Sequence, residues 1–221
     1  CVPGPRVVGT PGVTLSEEMI FVSYQNFVYG LSSESGAVSW HYPEESNNQL
    51  VFFAQPTVSG DFVYVGDLEN NFHKLNAETG SAEWTFSDAK GFYMGQAAVE
   101  EGIVYAPSND GNLYVLNSEG SLMWTFQTGH YLWAQPQITD DTVFVGSMDH
   151  FVYALTKDGQ ERWSFEMNGA VVGSPQLNQD GSRLFVGSIG GEMVALDTNT
   201  GREIWTFDGD GTLESVWGRP L

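Results

Sequence analysis

Residues 195–205 read ALDTNTGREIW, and this stretch decides the fold. It contains the end of a hydrophobic strand, a turn closed by a glycine, and a tryptophan four residues after that glycine. The same arrangement occurs five times along the chain. The glycine–tryptophan pairs are Gly36 and Trp40, Gly80 and Trp84, Gly120 and Trp124, Gly159 and Trp163, and Gly201 and Trp205. Successive tryptophans are 44, 40, 39 and 42 residues apart, so the sequence is a tandem repeat.

A second marker recurs with the same period. It is a short apolar segment followed by a small or polar pair and usually a proline. These segments are residues 7–11, 52–56, 93–97, 132–136, 171–175 and 216–220. Because proline cannot donate a hydrogen bond to a strand ladder, we expect each segment to form the exposed edge strand of its repeat, called strand A.

Two more strands lie between the markers in each repeat. The first is rich in β-branched and aromatic residues, and it is predicted at residues 19–23, 62–66, 103–106, 142–146 and 184–187. The second is predicted at residues 27–31, 71–75, 112–116, 151–155 and 192–196. Glycine-closed turns then lead to the strand that carries the tryptophan. No segment of helical length shows helical periodicity.

Four antiparallel strands in every ~40 residues are the signature of a β-propeller blade. We therefore predict an all-β propeller over residues 7–221 after a short tether at residues 1–6. The blades are predicted at about residues 7–42, 52–87, 93–127, 132–166 and 171–207, and residues 216–221 begin a further blade. A blade cannot bury both faces of its sheet alone, so we expect the repeated indoles and turn glycines to form the seams between blades.

Charge limits the classes of partner. The 221 residues carry 8 Lys and Arg against 28 Asp and Glu, a formal net charge of −20. Such a surface repels nucleic-acid phosphates and anionic lipids. We predict another protein as partner, no nucleic acid, and membrane contact only through a lipid anchor.

The single cysteine is Cys1, so the sequence offers no internal disulfide and no thiolate metal cluster. A chain that begins at cysteine resembles a bacterial lipoprotein after removal of its signal peptide. Cys1 is therefore a candidate for lipidation, and the location is expected to be extracytoplasmic. The alternative is that the chain was simply cut at this residue.

Residues 195–205 resemble the repeat of pyrroloquinoline-quinone (PQQ)-type propellers, and residues 75–84, LNAETGSAEW, match it nearly as well. The other repeats depart from it before the glycine, at Ser35, Glu119 and Asp158. The family includes quinoprotein dehydrogenases and BamB-like envelope lipoproteins that are not enzymes. The resemblance implies a ring of seven or eight blades, of which this chain would be a part. A compact five-bladed ring with a strapped tail is the alternative.

The resemblance also places the predicted strand A beside a central channel. The polar residue of each segment would then point into the channel. Two of the segments also contain a tryptophan outside the repeated set, and these tryptophans are candidates for the same site. These candidate channel or partner residues are Thr10, Gln55, Gln96, Gln135, Ser174 and Arg219, with Trp133 and Trp217. They could bind a small polar ligand or a peptide, or they could hydrate a pore.

Motifs for catalysis are weak. A quinoprotein dehydrogenase would be expected to have a quinone, a calcium ion and often an adjacent cysteine pair. Asp208 and Asp210 are a weak calcium candidate, and a solvated turn is the better interpretation of these residues. The histidines show no zinc-ligand spacing. We therefore predict no catalytic residue, no metal and no cofactor.

The resulting hypothesis is a non-catalytic, extracytoplasmic propeller that serves as a protein-interaction scaffold in cell-envelope or surface-complex assembly. Two alternatives stay open. One is a fragment of a PQQ-dependent dehydrogenase, and the other is a propeller that binds a small ligand or a sugar.

Overall fold

The computed structural model describes residues 12–47 and 49–209, and these residues form five four-stranded antiparallel sheets. We call the sheets blades 1 to 5 in chain order. The strands are β1 Gly12–Leu15, β2 Met19–Tyr24, β3 Phe27–Ser32, β4 Val38–Tyr42, β5 Thr57–Ser59, β6 Phe62–Gly66, β7 Phe72–Asn76, β8 Ala82–Phe86, β9 Ala98–Glu100, β10 Ile103–Pro107, β11 Asn112–Leu116, β12 Leu122–Gln127, β13 Gln137–Ile138, β14 Thr142–Gly146, β15 Phe151–Thr156, β16 Glu161–Glu166, β17 Gln176–Leu177, β18 Arg183–Gly187, β19 Met193–Asp197 and β20 Glu203–Phe207. In each blade the four strands lie in sequence order.

The predicted all-β propeller architecture is confirmed. The first strand of each blade is innermost, and neighbouring first strands contact one another from β1 through β13. They therefore line the inside of the arc of blades. The predicted sixth strand at residues 216–221 lies outside the described residues.

Every blade has the same irregularity between its third and fourth strands. The register shifts next to the residue that pairs with the tryptophan, as it does at Gly30 opposite Trp40 and at Lys74 opposite Trp84. The turn beyond this bulge closes on the repeated glycine. At Gly80 the backbone φ is +74°, which a residue with a Cβ adopts only at a cost.

The prediction for strand A was wrong in position. The innermost strands begin only after the predicted segments, at Thr57, Ala98, Gln137 and Gln176. The segments themselves are lead-in segments that cross from one blade to the next. Their first residues, Phe52, Tyr93, Leu132 and Val171, are buried and donate backbone N–H bonds to Gln25, Asp67, Ser108 and Ser147, just after the second strand of the preceding blade.

Proline misled the prediction for a physical reason. Pro56, Pro136 and Pro175 each stand immediately before the first residue of an innermost strand. The missing N–H group costs nothing there because the ladder has not yet begun, and the first residue of a strand is a position that proline tolerates. These prolines are buried rather than exposed.

The hydrophobic core lies between the blades. Four clusters of buried side chains fill the four successive seams. In the seam between blades 2 and 3, for example, Phe72 and Phe86 of blade 2 pack with Tyr93, Val104 and Tyr114. Each sheet is thus covered by its neighbours, as blade geometry requires.

Among the described residues, no seam joins blade 5 to blade 1. A Cβ placed on Gly36 in blade 1 would meet nothing within 4 Å, whereas one on Gly80 would meet the ring of Trp40 at 2.5 Å. At the other end, the Trp205 side chain is 38% exposed. The compact five-bladed ring, which was our alternative, is therefore wrong for this part of the chain.

Residues 12–47 and 49–209 contain no helix long and apolar enough to cross a membrane.

Candidate functional site

The tryptophans dock across the seams in one repeated geometry. Each indole lies on the turn glycine of the next blade, and its Nε1 donates a hydrogen bond to a carbonyl of that turn. The bonds are Trp40 to Ala77 at 2.9 Å, Trp84 to Ser118 at 3.0 Å, Trp124 to Lys157 at 2.9 Å and Trp163 to Thr198 at 2.9 Å. A Cβ on the receiving glycines would lie 2.5–2.8 Å from the indoles. Four of the five predicted tryptophans therefore occupy seams, and Trp205 does not.

The accepting carbonyl follows a rule that holds for two turn lengths. In the longer turns the glycine N–H bonds the carbonyl four residues back, as Gly80 does to Asn76. In the shorter turns it bonds the carbonyl three residues back, as Gly120 does to Asn117. In both cases the indole donates to the carbonyl of the residue that follows the glycine's own acceptor, which is Ala77 after Asn76 and Ser118 after Asn117. The turn at Gly36 is of the longer type, with its N–H bonded to Ser32.

Each indole also packs on an aromatic ring of its own blade that sequence reasoning did not single out. The pairs are Phe21 and Trp40, Tyr64 and Trp84, Tyr105 and Trp124, Phe144 and Trp163, and Phe185 and Trp205, with ring centroids 5.7–6.3 Å apart. These rings recur at intervals of 43, 41, 39 and 41 residues, so a signal for them was present in the sequence.

Three of the predicted channel residues form a belt around the inside of the arc. The amide groups of Gln55, Gln96 and Gln135 donate to the carbonyls of Val13, Pro56 and Ala97 in the preceding blade, at 2.9, 3.1 and 3.1 Å. We call these three residues the glutamine belt. Their amide donors thus join neighbouring backbones.

Threonines of the innermost strands donate to two of the same carbonyls from the opposite neighbouring blade. Thr14 donates to the Pro56 carbonyl and Thr57 to the Ala97 carbonyl, both at 2.6 Å. Each of these two carbonyls is thus bonded from both flanking blades. In blade 5 the corresponding position is Ser174, whose hydroxyl accepts the backbone N–H of Gln135 at 2.9 Å.

The lead-in segments of blades 2 to 5 also carry one apolar side chain each at a shared position, and we call these four side chains the inner collar. Each member comes two residues before a belt residue or Ser174, and each is half-buried: Phe53, Met94, Trp133 and Val172. The indole of Trp133 donates to the side-chain oxygen of Asn109 in blade 3 at 2.9 Å. Half-buried apolar side chains thus accompany the belt residues along the lead-in segments.

Several predicted site residues lie outside the described residues. They are Cys1, Thr10, Asp210, Trp217 and Arg219. Asp208 is described, but its proposed calcium partner Asp210 is not. Within residues 12–47 and 49–209, no three His, Cys, Asp or Glu side chains are grouped as metal ligands.

Carboxylates clamp the loops on the face opposite the glycine turns. Asp110 accepts the Tyr114 hydroxyl at 2.7 Å and the backbone N–H of Lys90 at 3.0 Å. Asp149 accepts the Tyr153 hydroxyl and the N–H of Gly129 in the same way. Partial burial raises the pKa of Asp110, but hydrogen bonds from Tyr114 and Asn112 outweigh burial and hold the pKa below its usual value.

A buried polar cluster ties blade 1 to blade 2. His73 Nε2 lies 3.0 Å from the buried carboxylate of Asp67, and His73 Nδ1 lies 3.1 Å from the Thr85 hydroxyl and 3.3 Å from the Tyr42 hydroxyl. Burial raises the pKa of Asp67, but hydrogen bonds from His73 and Asn71 lower it by more, so the pKa is below its usual value. A Thr–His–Asp chain of this kind resembles a nucleophile relay. Here Tyr42 shares Nδ1 with Thr85, and the cluster joins two blades.

Several solved structures are similar in fold to this chain. BamB from Moraxella catarrhalis is 22% identical, with a TM-score of 0.74 over 88% of this chain and 59% of that chain. The computationally designed Ika8 protein is 15% identical, with a TM-score of 0.81 over 95% and 64%. A chain of the Mitotic Checkpoint Complex is 15% identical, with a TM-score of 0.78 over 91% and 63%. These likenesses show the fold, and the chain spans less than two thirds of each of these structures.

No curated protein matches the sequence. A family model does: the one described as outer membrane protein assembly factor BamB matches residues 4–126 and 179–220, which is more than half of the chain. With its repeated indole seams and four-stranded blades, the chain therefore belongs to the BamB family of PQQ-type propellers.

Proposed function

We propose that this chain is a non-catalytic, extracytoplasmic scaffold that binds another protein in outer-membrane or cell-envelope assembly, and that the inner collar is its partner site. The observation that carries the proposal is a set of half-buried apolar side chains, Phe53, Met94, Trp133 and Val172, in the segments that also carry the belt glutamines and Ser174. Each belt glutamine donates an amide N–H to a neighbouring backbone carbonyl.

These apolar side chains favour a protein segment over a small polar ligand or a sugar. Sugar sites depend on free, convergent donors and acceptors, whereas partner proteins are held by aromatic and aliphatic anchors. Trp133 is the strongest anchor because its indole is oriented by Asn109. The net charge of −20 favours a partner segment that carries Lys or Arg beside its apolar residues.

The test is site-specific photo-crosslinking in cells of the native host. A benzoylphenylalanine placed at Trp133 should yield adducts with an envelope protein, and the same group at exposed Glu83 on the outermost strand of blade 2 should not. With the captured partner purified, Trp133→Ala should weaken binding by at least about thirtyfold, and Trp133→Phe should weaken it less. Equal crosslinking at both positions, or unchanged binding by Trp133→Ala, would refute the inner collar as the site.

The non-catalytic part has its own test. Protein incubated with PQQ and Ca²⁺ should show no quinone absorbance after desalting and no dye reduction with alcohols or sugars. Quinone-dependent dye reduction would support a dehydrogenase instead.

The lipid anchor at Cys1 remains a prediction that concerns membrane tethering alone. Mass spectrometry of the N-terminal peptide from the native host should show diacylglycerol on the thiol, and Cys1→Ser should release the protein from the membrane fraction. An unmodified cysteine within a longer chain would contradict the anchor.

A further inference from the structure

A buried lysine completes the seam between blades 2 and 3 on the face of the glycine turns. Lys74 is only 8% exposed, and its Nζ lies 3.8 Å from the centre of the Phe62 ring. The same Nζ donates to the Ser118 carbonyl at 3.1 Å, and this carbonyl also accepts the indole of Trp84. An ammonium group is therefore bound above an aromatic ring, at the indole's own acceptor.

The next two seams receive a cation of the chain from different positions. Between blades 3 and 4, Lys157 pairs with Glu100, and its Nζ lies 5.7 Å from the centre of the Tyr105 ring. Between blades 4 and 5, Arg162 donates to the carboxylate of Asp141 at 2.8 Å. Each of these three seams thus has a basic side chain near the junction of a blade's first and second strands.

The seam between blades 1 and 2, which we call the first seam, has no basic residue at any of these positions. The three positions are defined by the indole: opposite it in the third strand, at the turn carbonyl that accepts it, and immediately before it in the fourth strand. In the first seam the residues at these positions are Gly30, Ala77 and Ser39. All three are small, and no described Lys or Arg lines the space that they leave.

That space is an acidic groove of about 700 Å³. It is lined by Met19 and the buried Phe21, which correspond to Phe62 and Tyr64 beside Lys74. The carboxylates that line it are Glu17, Glu18, Asp61 and Glu78. Within residues 12–47 and 49–209, none of these four carboxylates has a salt-bridge partner. The seam between blades 4 and 5 also has a groove, of about 600 Å³, but there the chain's own arginine already bonds one of the aspartates.

We infer that the groove of the first seam binds a lysine side chain of a partner protein. The ammonium donates to the Ala77 carbonyl, whose oxygen has a second lone pair beyond the one used by the indole. It pairs with Asp61 and Glu78, and its methylene stem packs on Met19. The chain's own lysines show the chemistry that this place in a seam accepts, and the net charge of −20 favours a basic partner. This inference depends neither on the inner collar nor on the proposed function.

An NMR titration of the ¹⁵N-labelled 221-residue protein with Nα-acetyl-lysine N-methylamide tests the groove. The amide signals of Ala77 and Glu78 should shift saturably. The norleucine analogue, which keeps the four-carbon chain without the ammonium, should shift them little. Asp61→Asn and Glu78→Gln should each weaken binding about two- to fivefold. Asp88→Asn is the matched control, because Asp88 is an exposed carboxylate that does not line the groove, and it should leave binding unchanged.

Filling the groove from within distinguishes a site from general attraction to an acidic protein. Ser39→Arg puts a guanidinium where Arg162 stands in blade 4, so it should weaken binding at least about tenfold. Ser39→Gln, which is long but uncharged, should weaken it less, and Trp133→Ala in the inner collar should not change it. Equal shifts with the norleucine analogue, no saturable shift, or unchanged affinity in both carboxylate variants would overturn the inference. Tighter binding after Arg6→Gln would also overturn it, because the chain would then fill the groove with its own arginine.

The partner itself is tested by a carbodiimide, which joins a carboxylate to the amine that it pairs with. In envelopes of the native host, mass spectrometry should find an amide bond from Asp61 or Glu78 to a lysine of another protein. Asp88 should give none. Equal crosslinking at Asp88, or no crosslink at Asp61 and Glu78, would overturn a partner lysine in the first seam.

Discussion

Two glycines with the same backbone but different surroundings allow the energy of a seam to be isolated. Gly36 and Gly80 have φ +69° and +74° and sit in turns of the same type. A Cβ on Gly36 would meet nothing within 4 Å, and one on Gly80 would lie 2.5 Å from the Trp40 ring. An alanine at either position therefore adds similar backbone strain, but only the alanine at position 80 also clashes with an indole.

The magnitudes follow from these contacts. Left-handed φ costs about 1–2 kcal/mol for a residue with a Cβ, and this is the whole cost expected for Gly36→Ala. Gly80→Ala should lose a further ~2–4 kcal/mol, because overpacking displaces the indole and its bond to the Ala77 carbonyl, worth about 1 kcal/mol, is lost.

Thermal melting followed by circular dichroism measures the difference. Because 1 kcal/mol shifts Tm by about 2–4 °C in a protein of this size, Tm should fall by about 2–8 °C for Gly36→Ala and by about 6–24 °C for Gly80→Ala. Equal losses for the two variants would refute the claim that the turn glycine is reserved for the indole.

Three further predictions concern other contacts. Trp124→Phe keeps the ring but removes the bond to the Lys157 carbonyl, so the free energy of unfolding measured in urea should fall by about 1–3 kcal/mol, and an unchanged midpoint would contradict this. Asp67 has a lowered pKa in the folded state, so the stability that its carboxylate contributes is complete above the unfolded pKa and is lost as pH falls through the folded pKa. Asp67→Asn should therefore lower the free energy of unfolding by about 3 kcal/mol near neutral pH and flatten the acid side of a curve of Tm against pH. A curve parallel to that of the unsubstituted protein would be the contrary result. Burial, together with the bond to Asp110, raises the pKa of Tyr114 to about 12, so the folded state resists ionisation of this phenol and stability should fall above pH ~10, where the unfolded phenol ionises. Burial also raises the pKa of Tyr93 and Tyr105, so Tyr114→Phe should make this fall smaller without removing it, as checked by melting between neutral and alkaline pH; an unchanged fall would contradict the assignment to Tyr114.

The repeat made the fold predictable, because a period of about 40 residues with one indole per period leaves few architectures to consider. The turn glycines were predictable for the same reason. The position of strand A was not, since Pro56 and its counterparts mark the start of an innermost strand rather than an edge strand. Burial of Phe52 and Tyr93 depends on the preceding blade, and a pattern within one repeat does not contain that contact.

The candidate site was predicted in part. Gln55, Gln96 and Gln135 share one phase in the sequence, which is why they were singled out together. Their bonding to backbone carbonyls depends on the distance between blades, which sequence spacing does not give. The carboxylate clamps did leave a signal. Asp110 and Tyr114 stand four residues apart, and so do Asp149 and Tyr153, 39 residues later. The His73 cluster left none, because it combines residues of two blades.

Because each blade is held only through its seams, the number of seams per blade sets the order in which the molecule comes apart. Blades 2, 3 and 4 each have two seams among the described residues, whereas blades 1 and 5 each have one. A blade that is held by two seams opens less readily than a blade that is held by one. In the isolated 221-residue chain, amide protection should therefore be higher in blades 2, 3 and 4 than in blades 1 and 5.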